Sequence, residues 1–517
     1  MGIILPEISY VYSEFLLQPK LQTKRPYAED VDLSAPLAKF TYDENKPWNE
    51  QTQHRLNLGF MAAAMQSVCG DMLSVALAKE GGLGTIFCSQ PIEAEAEMIK
   101  KVKRFRGGFV IPDVISPAMY VRDVISLTKK TGYGKHPVTE NGRPDGKLVG
   151  LLTEDLYTND HRNVRVAERM IKNGKRGWKY DGLKRYVMHE RDVQGDLSKA
   201  HEFMKNVVRG RIALIVDGNY RLKSAVFRRD IEEHEKHKNT ELVDGQKRYK
   251  VAAAVNTHDY KKRVPAVLDA GADYLVIDAA QGHTEWQAET LRWIRGTYGD
   301  DVVVISGNYV TPEGFDFAVR NGADAVKVGI GPGSICTTRM KFGGGAGQAT
   351  AVKRITNRRN EYFKQTGIYV PVIPDGGVVN PSDVIIAWGL EGDIVMMGRY
   401  FAGYHESPTD VEYIEVESKD AGKFHVPVKP YWGEGSEKAK AWREKRYDQE
   451  SVEEGVEGYV PYKGRLPDTF PIVLHELKIG VHKFGYTGVK NLNDCAQLMR
   501  QSEGSVHEGK PHDVYMK

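Results

Sequence analysis

From residue 250 onward, short apolar runs alternate with segments of helical period. Residues 272–278, 302–308, 323–331, 371–377 and 393–398 predict strands, and 285–295, 312–321 and 382–388 predict helices. Continuously apolar strands separated by helices imply a parallel sheet covered on both faces. Asp278, Asn308, the 331–336 stretch and Asp375 all fall at the C-terminal ends of predicted strands. A (β/α)8 barrel keeps its chemistry at that end. A doubly wound open sheet gives similar alternation. So many successive strand ends carry glycine or reactive residues that the pattern favours the barrel.

The rhythm breaks twice. Between about 108 and 236, Lys147–Asp155 reads as a strand running into a charged helix start. Arg211–Leu222 repeats that theme before Arg228-Arg229-Asp230. Two loose copies of strand, glycine turn, strand and Asp resemble a pair of cystathionine-β-synthase-type (CBS) modules. The expected organisation is therefore a barrel begun by residues 1–107, a CBS-pair insertion at 108–236, and the rest of the barrel at 237–517. The second break, 404–470, is rich in Gly, Glu, Lys and Tyr. Its weak apolar periodicity predicts a lid or mobile flap.

Composition narrows the classes. Charged residues form 27% and hydrophobic ones 41% of 517 residues, as in ordinary globular proteins. A net charge of +3 gives no reason to expect nucleic acid as the main partner. The run Lys100-Lys101-Val102-Lys103-Arg104 predicts a solvated surface. There is no 18-residue apolar stretch for a membrane span, and no basic-then-apolar block for a secretory signal. The four cysteines, Cys69, Cys88, Cys336 and Cys495, make no CxxC pair. A zinc site or disulfide framework is not expected, and the default location is the cytoplasm.

The densest chemistry lies in Lys327–Arg339 (KVGIGPGSICTTR). A strand runs straight into glycines that let backbone approach a ligand. Ser334 suits phosphate oxygens, and Cys336 sits in a polar loop near Arg339, where a thiolate is favoured. Asp375-Gly376-Gly377 and Gly398-Arg399 add backbone N–H groups and a guanidinium at neighbouring strand ends, a phosphate site of the type barrels build from late loops. Asp375 suits the two hydroxyls of a ribose. Glycines 343–345 and Gly347 predict a hinge.

Together these motifs resemble the IMP dehydrogenase / GMP reductase family. Met396-Met397-Gly398-Arg399-Tyr400, Ala64-Met65-Gln66-Ser67-Val68 and His507-Glu508-Gly509 follow the family's order, and the resemblance spans nearly the whole chain. It is closest to the dehydrogenase branch of protozoan type, because Arg446-Tyr447 occupies the flap position that the reductases lack. The resemblance implies NAD-dependent oxidation of IMP to xanthosine monophosphate through a thioimidate on Cys336, in guanine nucleotide biosynthesis. Thr338, Arg446, Tyr447 and Glu454 would serve the hydrolytic step. Ser334, Gly377, Gly398, Arg399 and Tyr431 would hold phosphate, Asp375 the ribose, and Gly435 and Glu454 the base.

The same resemblance places His258 and Trp286 against adenine. Asp278, Ala279, Asn308, Gly329, Gly331 and Arg339 would form the rest of the NAD side. Gly331, Gly333 and Cys336 carbonyls, with Glu508 and Gly509, would bind K+, and the assembly would be a homotetramer. Purine nucleotides are candidate ligands of the CBS pair. Three positions depart from the family pattern: Ala279 and Ala280 follow Asp278, Ala63 replaces a common serine, and Lys510 stands beside the K+ ligands. The alternatives are an NADPH-dependent GMP reductase and a catalytically weak nucleotide sensor.

Overall fold

The structure, a computed structural model, describes residues 4–105, 108–110, 112–131, 133–172, 182–194, 196–208, 211–237, 240–418, 422–439 and 453–508. The chain divides into two compact units. One comprises residues 1–103, 240–242 and 249–517, and the other 104–239 and 243–248.

The larger unit is a (β/α)8 barrel. Its strands are β1 (Phe60–Ala62), β2 (Leu83–Ile86), β3 (Ala252–Val255), β4 (Tyr274–Asp278), β5 (Val303–Tyr309), β6 (Ala325–Val328), β7 (Val372–Pro374) and β8 (Val395–Met397). All neighbouring strands pair in parallel, and a bridge from Asp375 to Met396 joins β7 to β8. This closure rules out the open sheet. The helices are α1 (Asp71–Lys79), α2 (Ile92–Lys103), α3 (Tyr260–Asp269), α4 (Glu285–Tyr298), α5 (Pro312–Arg320), α6 (Gln348–Thr366), α7 (Pro381–Gly389) and α8 (Leu466–Lys483). Helix α8 packs against α1 and α7 and so completes the ring.

Local sequence sets these elements. Val303-Val304-Ile305 is a β-branched run, fully inside the sheet. Thr311 caps α5 by accepting from the Gly314 N–H, and Pro312 opens the helix where no donor is needed. At the N-terminal end of the barrel one device recurs. Asp273, Asp324 and Asp393, each just before an even-numbered strand, accept from the N–H of Val251, Val304 and Val372, respectively. Each carboxylate is paired with a cation: Lys103, Arg295 and Arg359. The basic run at 100–104 is therefore not all solvated. Lys103 is buried, with Nζ 2.8 Å from Asp273 Oδ2 and 3.0 Å from the Tyr249 carbonyl.

The smaller unit repeats one arrangement. A parallel bridge from Ile115 to Val138, helix Val121–Thr131 and the hairpin Lys135–Thr139/Leu148–Thr153 form one half. Strand Val187–His189, parallel to Ile212–Val216, helix Leu197–Phe203 and the hairpin Ile212–Val216/Leu222–Phe227 form the other. In the first half His136 is buried, its Nε2 2.8 Å from Thr128 Oγ1. Burial holds its imidazole down, to about 4. The unfolded chain takes up this proton near its ordinary value, about 6.5, and the folded unit does not. Stability is thus full above that pH and falls by about 3 kcal/mol in all as pH drops toward the folded value. Protection factors of the amides in Lys135–Thr139, taken relative to the intrinsic rate at each pH, should fall between pH 7 and 4.5. Equal protection at both pH values contradicts this.

The segment expected as an irregular flap contains a three-stranded antiparallel sheet, Glu412–Ser418, Gly422–Trp432 and Glu457–Pro461. The first of its strands alternates apolar and charged residues in Ile414-Glu415-Val416-Glu417. Arg446 and Tyr447 lie outside the described residues. So do Gly509 and Lys510.

Candidate active site

A cavity of about 1180 Å3 opens at the C-terminal ends of the barrel strands. Its wall takes Asp278 from β4, Asn308 from β5, the 329–336 loop after β6, Asp375 to Gly377 after β7 and Gly398-Arg399 after β8. Gly433, Glu434 and Gly435 reach it from the antiparallel sheet, and Val11, Tyr12 and Ser13 from the N-terminal segment.

Cys336 faces this space. Its Sγ lies 3.1 Å from Thr338 Oγ1, and Thr338 Oγ1 donates to Glu454 Oε2 at 2.7 Å. A hydroxyl has one proton, so the Thr338 hydroxyl accepts from the thiol while donating to the carboxylate. The result is a continuous path from sulfur to Glu454. Backbone bonds hold it in register. Thr337 N donates to Glu454 O (2.8 Å), Val456 N to Ile335 O (2.9 Å) and Glu454 N to Gly435 O (2.9 Å). Arg339 lies beneath the loop, donating to the carbonyls of Ile330 and Ala346. Desolvation lowers its guanidinium below the usual value, and the neighbouring Cys336 opposes that shift.

A second corner of the cavity is built around Tyr431. Burial pushes the Tyr431 phenol up to about 12, although the Ser334 hydroxyl and Arg399 work the other way. Ser334, Tyr431 and Arg399 therefore lie close together on the cavity wall. Gly398 lies under the Tyr431 hydroxyl. Gly377 has φ +78°, and a Cβ there would press on Gln348 and Tyr12.

Asp375 and Asp278 share a buried lysine. Lys327 Nζ sits 2.7 Å from Asp375 Oδ2 and 2.8 Å from Asp278 Oδ1. Burial disfavours the ammonium, but the two carboxylates outweigh it and raise it above the ordinary lysine range. Asn308 Nδ2 donates to Asp375 Oδ2 (3.0 Å) and Gly329 O (2.6 Å). Gly329 has φ +143°, and a side chain there would collide with the Asp375 carbonyl.

On the other side, His258, Ala279, Gly331 and the exposed indole of Trp286 line the same cavity. The predicted residues from Gly329 to Arg339 and from Asp375 to Glu454 that are described therefore meet in one place. Glu508 ends helix Glu503–Glu508, and its side chain lies outside the described residues. The sequence reading missed Lys327, Tyr12, Gln348 and Glu434 as site residues. A lysine inside the apolar strand Ala325-Val326-Lys327-Val328 was the available signal for the first.

Two groups implied by the resemblance can be tested against these residues. Asn308 Oδ1 is buried without a partner among the described residues, so it suits an amide N–H such as a carboxamide. With the open Trp286 face, this fits a nicotinamide dinucleotide. Of the K+ set, the Gly333 carbonyl accepts from Cys336 N at 3.0 Å and keeps a second lone pair for a cation. Among the described residues no group of three or more His, Cys, Asp or Glu could hold a metal ion, and no helix is long and apolar enough to cross a membrane.

Fold and cavity together define a barrel enzyme with a cysteine at its strand ends. Residues 9–512 match the IMP dehydrogenase / GMP reductase domain, and the chain belongs to that family. Its relatives include the inosine-5'-monophosphate dehydrogenase of Tritrichomonas foetus, 39% identical over 519 residues, 99% of this chain and 97% of that protein. The dehydrogenase of the same name from Aquifex aeolicus is 32% identical over 97% of this chain and 95% of its own length. Among solved structures, a GMP reductase variant from Trypanosoma brucei in complex with guanosine 5'-monophosphate superposes with TM-score 0.76 at 25% identity, covering 98% of each chain. The protein is thus an oxidoreductase of this family.

Proposed function

We propose that this enzyme converts IMP, NAD+ and water to xanthosine monophosphate, NADH and a proton. The observation that carries the reading is the path from Cys336 through Thr338 to Glu454 at the edge of a cavity that Ser334, Arg399 and Tyr431 also line. Ser334, Gly377, Gly398, Arg399 and Tyr431 would hold the phosphate, Asp375 the ribose, and Gly435 and Glu454 the base. Cys336 Sγ adds to C2 of the purine, and its proton passes through Thr338 to Glu454. Bound NAD+ supplies the hydride acceptor for the tetrahedral C2. His258 and Trp286 would flank its adenine, and Asp278, Ala279, Asn308, Gly329, Gly331 and Arg339 its other end. Water then attacks C2 of the thioimidate, the C–S bond breaks, and the thiolate leaves. Arg446 and Tyr447 are proposed for this step on the family resemblance alone.

The duplicated architecture of the smaller unit supports a CBS pair with purine nucleotide ligands. A homotetramer and a K+ site using Gly331, Gly333, Cys336, Glu508 and Gly509 also rest on the resemblance, and no step is derived through the ion.

The test is direct. With IMP and NAD+ the protein should generate NADH absorbance, and a parallel mixture of GMP and NADPH should stay constant. Loss of NADPH with GMP alone makes the enzyme a reductase, the reaction named for its structural neighbour.

A further inference from the structure

Lys327 lies in β6, and the two carboxylates it binds belong to different walls of the cavity. Asp278 ends β4, and Asp375 follows β7. Only 2% of the lysine side chain is exposed, so this ammonium is held by protein rather than water. Gly307 on the neighbouring strand leaves the room: a Cβ there would run into the lysine side chain.

The bonding is asymmetric. Asp375 Oδ2 takes two internal donors, Lys327 Nζ and Asn308 Nδ2, while among the described residues none falls on its Oδ1. Asp278 likewise gives only Oδ1 to the lysine. Each carboxylate meets the lysine through one oxygen, and both residues line the cavity. A single positive charge is thus shared by two negative ones in a poorly solvated site, where a change at one carboxylate is felt at the other.

We propose that Lys327 is a positioning residue that couples the two halves of the cavity, so that a nucleotide bound at Asp375 sets the affinity for the dinucleotide at Asp278. This rests on the assignment of those halves in the proposed function. Hydroxyls donating to Asp375 draw its charge away from Lys327, which then holds Asp278 more firmly in place for the second ligand. Merely filling space in the core would not link the two affinities.

The experiment measures NAD+ affinity calorimetrically with and without saturating IMP, in Cys336→Ala protein to prevent turnover. With Lys327 intact, IMP should tighten NAD+ binding about tenfold, within the usual range of coupling between sites. Adding Lys327→Met should bring that ratio to about one, and Lys327→Arg should retain most of it. An unchanged ratio in the methionine variant, a ratio of one with the lysine present, or arginine behaving like methionine each overturns the proposal.

If the methionine variant does not fold, Asp278→Asn decides. It should weaken IMP binding about fivefold with no dinucleotide present, and unchanged IMP affinity refutes the link. The same titrations run with GMP and NADPH. A protein that binds only that pair ends the dehydrogenase reading yet still tests the lysine, and one that binds neither pair overturns both.

Discussion

Cys336→Ala should lower NADH formation from IMP by about 10^6-fold, the scale on which covalent enzymes lose turnover when the nucleophile is removed. Hydride cannot leave a planar C2 until a nucleophile makes it tetrahedral, so binding alone cannot rescue the reaction. The proposed phosphate corner of Ser334, Arg399 and Tyr431 stays in place, and IMP should still bind. The cavity holds one other thiol, Cys88, but burial pushes it far above the ordinary range, with Glu95 adding to the shift. It is a poor substitute, because the thiolate is the reactive form. Mass spectrometry after quenching should find the purine adduct on Cys336 in the unaltered protein and none in the variant. More than 1% residual NADH formation, or an adduct on Cys88, contradicts the assignment.

Much of this site was legible because strand ends carry chemistry in short, contiguous motifs. Cys336, Asp375 and Arg399 each follow an apolar run, and barrel topology brings such ends together wherever they fall in sequence. What stayed hidden depends on distant pairing. Lys103 reads as one charge in a basic run until Asp273 is placed beside it. Lys327 looks misplaced in its strand until Asp278 and Asp375 converge on it. Tyr12 lies more than 300 residues before its neighbours Gln348 and Gly377, and no local pattern links them. The sheet at 412–461 was obscured by glycines and charges, since an exposed antiparallel ribbon needs apolar residues only on alternate positions. Arg446-Tyr447 carries its reading from the resemblance, and its residues lie outside those described.

Thr338→Val tests what the hydroxyl does. Valine has nearly the same shape but can neither accept from Sγ nor donate to Glu454 Oε2, now 2.7 Å from Thr338 Oγ1. It also leaves that carboxylate without its side-chain donor. Once Sγ is bonded to the purine, the threonine oxygen is, among the described residues, the group best placed to take a proton from water attacking the adjacent carbon, and Glu454 lies next in line. Steady-state turnover should fall by about 10^2 to 10^3, the usual contribution of a positioned acid–base group. The loss should fall on hydrolysis rather than hydride transfer. A rapid-mixing experiment should therefore show a fast burst of NADH equal to the enzyme sites, followed by the slow phase, with the Cys336 adduct accumulating between them. If the burst slows as much as the steady state, the path serves the thiol proton alone, and water must be activated elsewhere. If neither phase changes, the bond from Thr338 to Glu454 has no part in the chemistry.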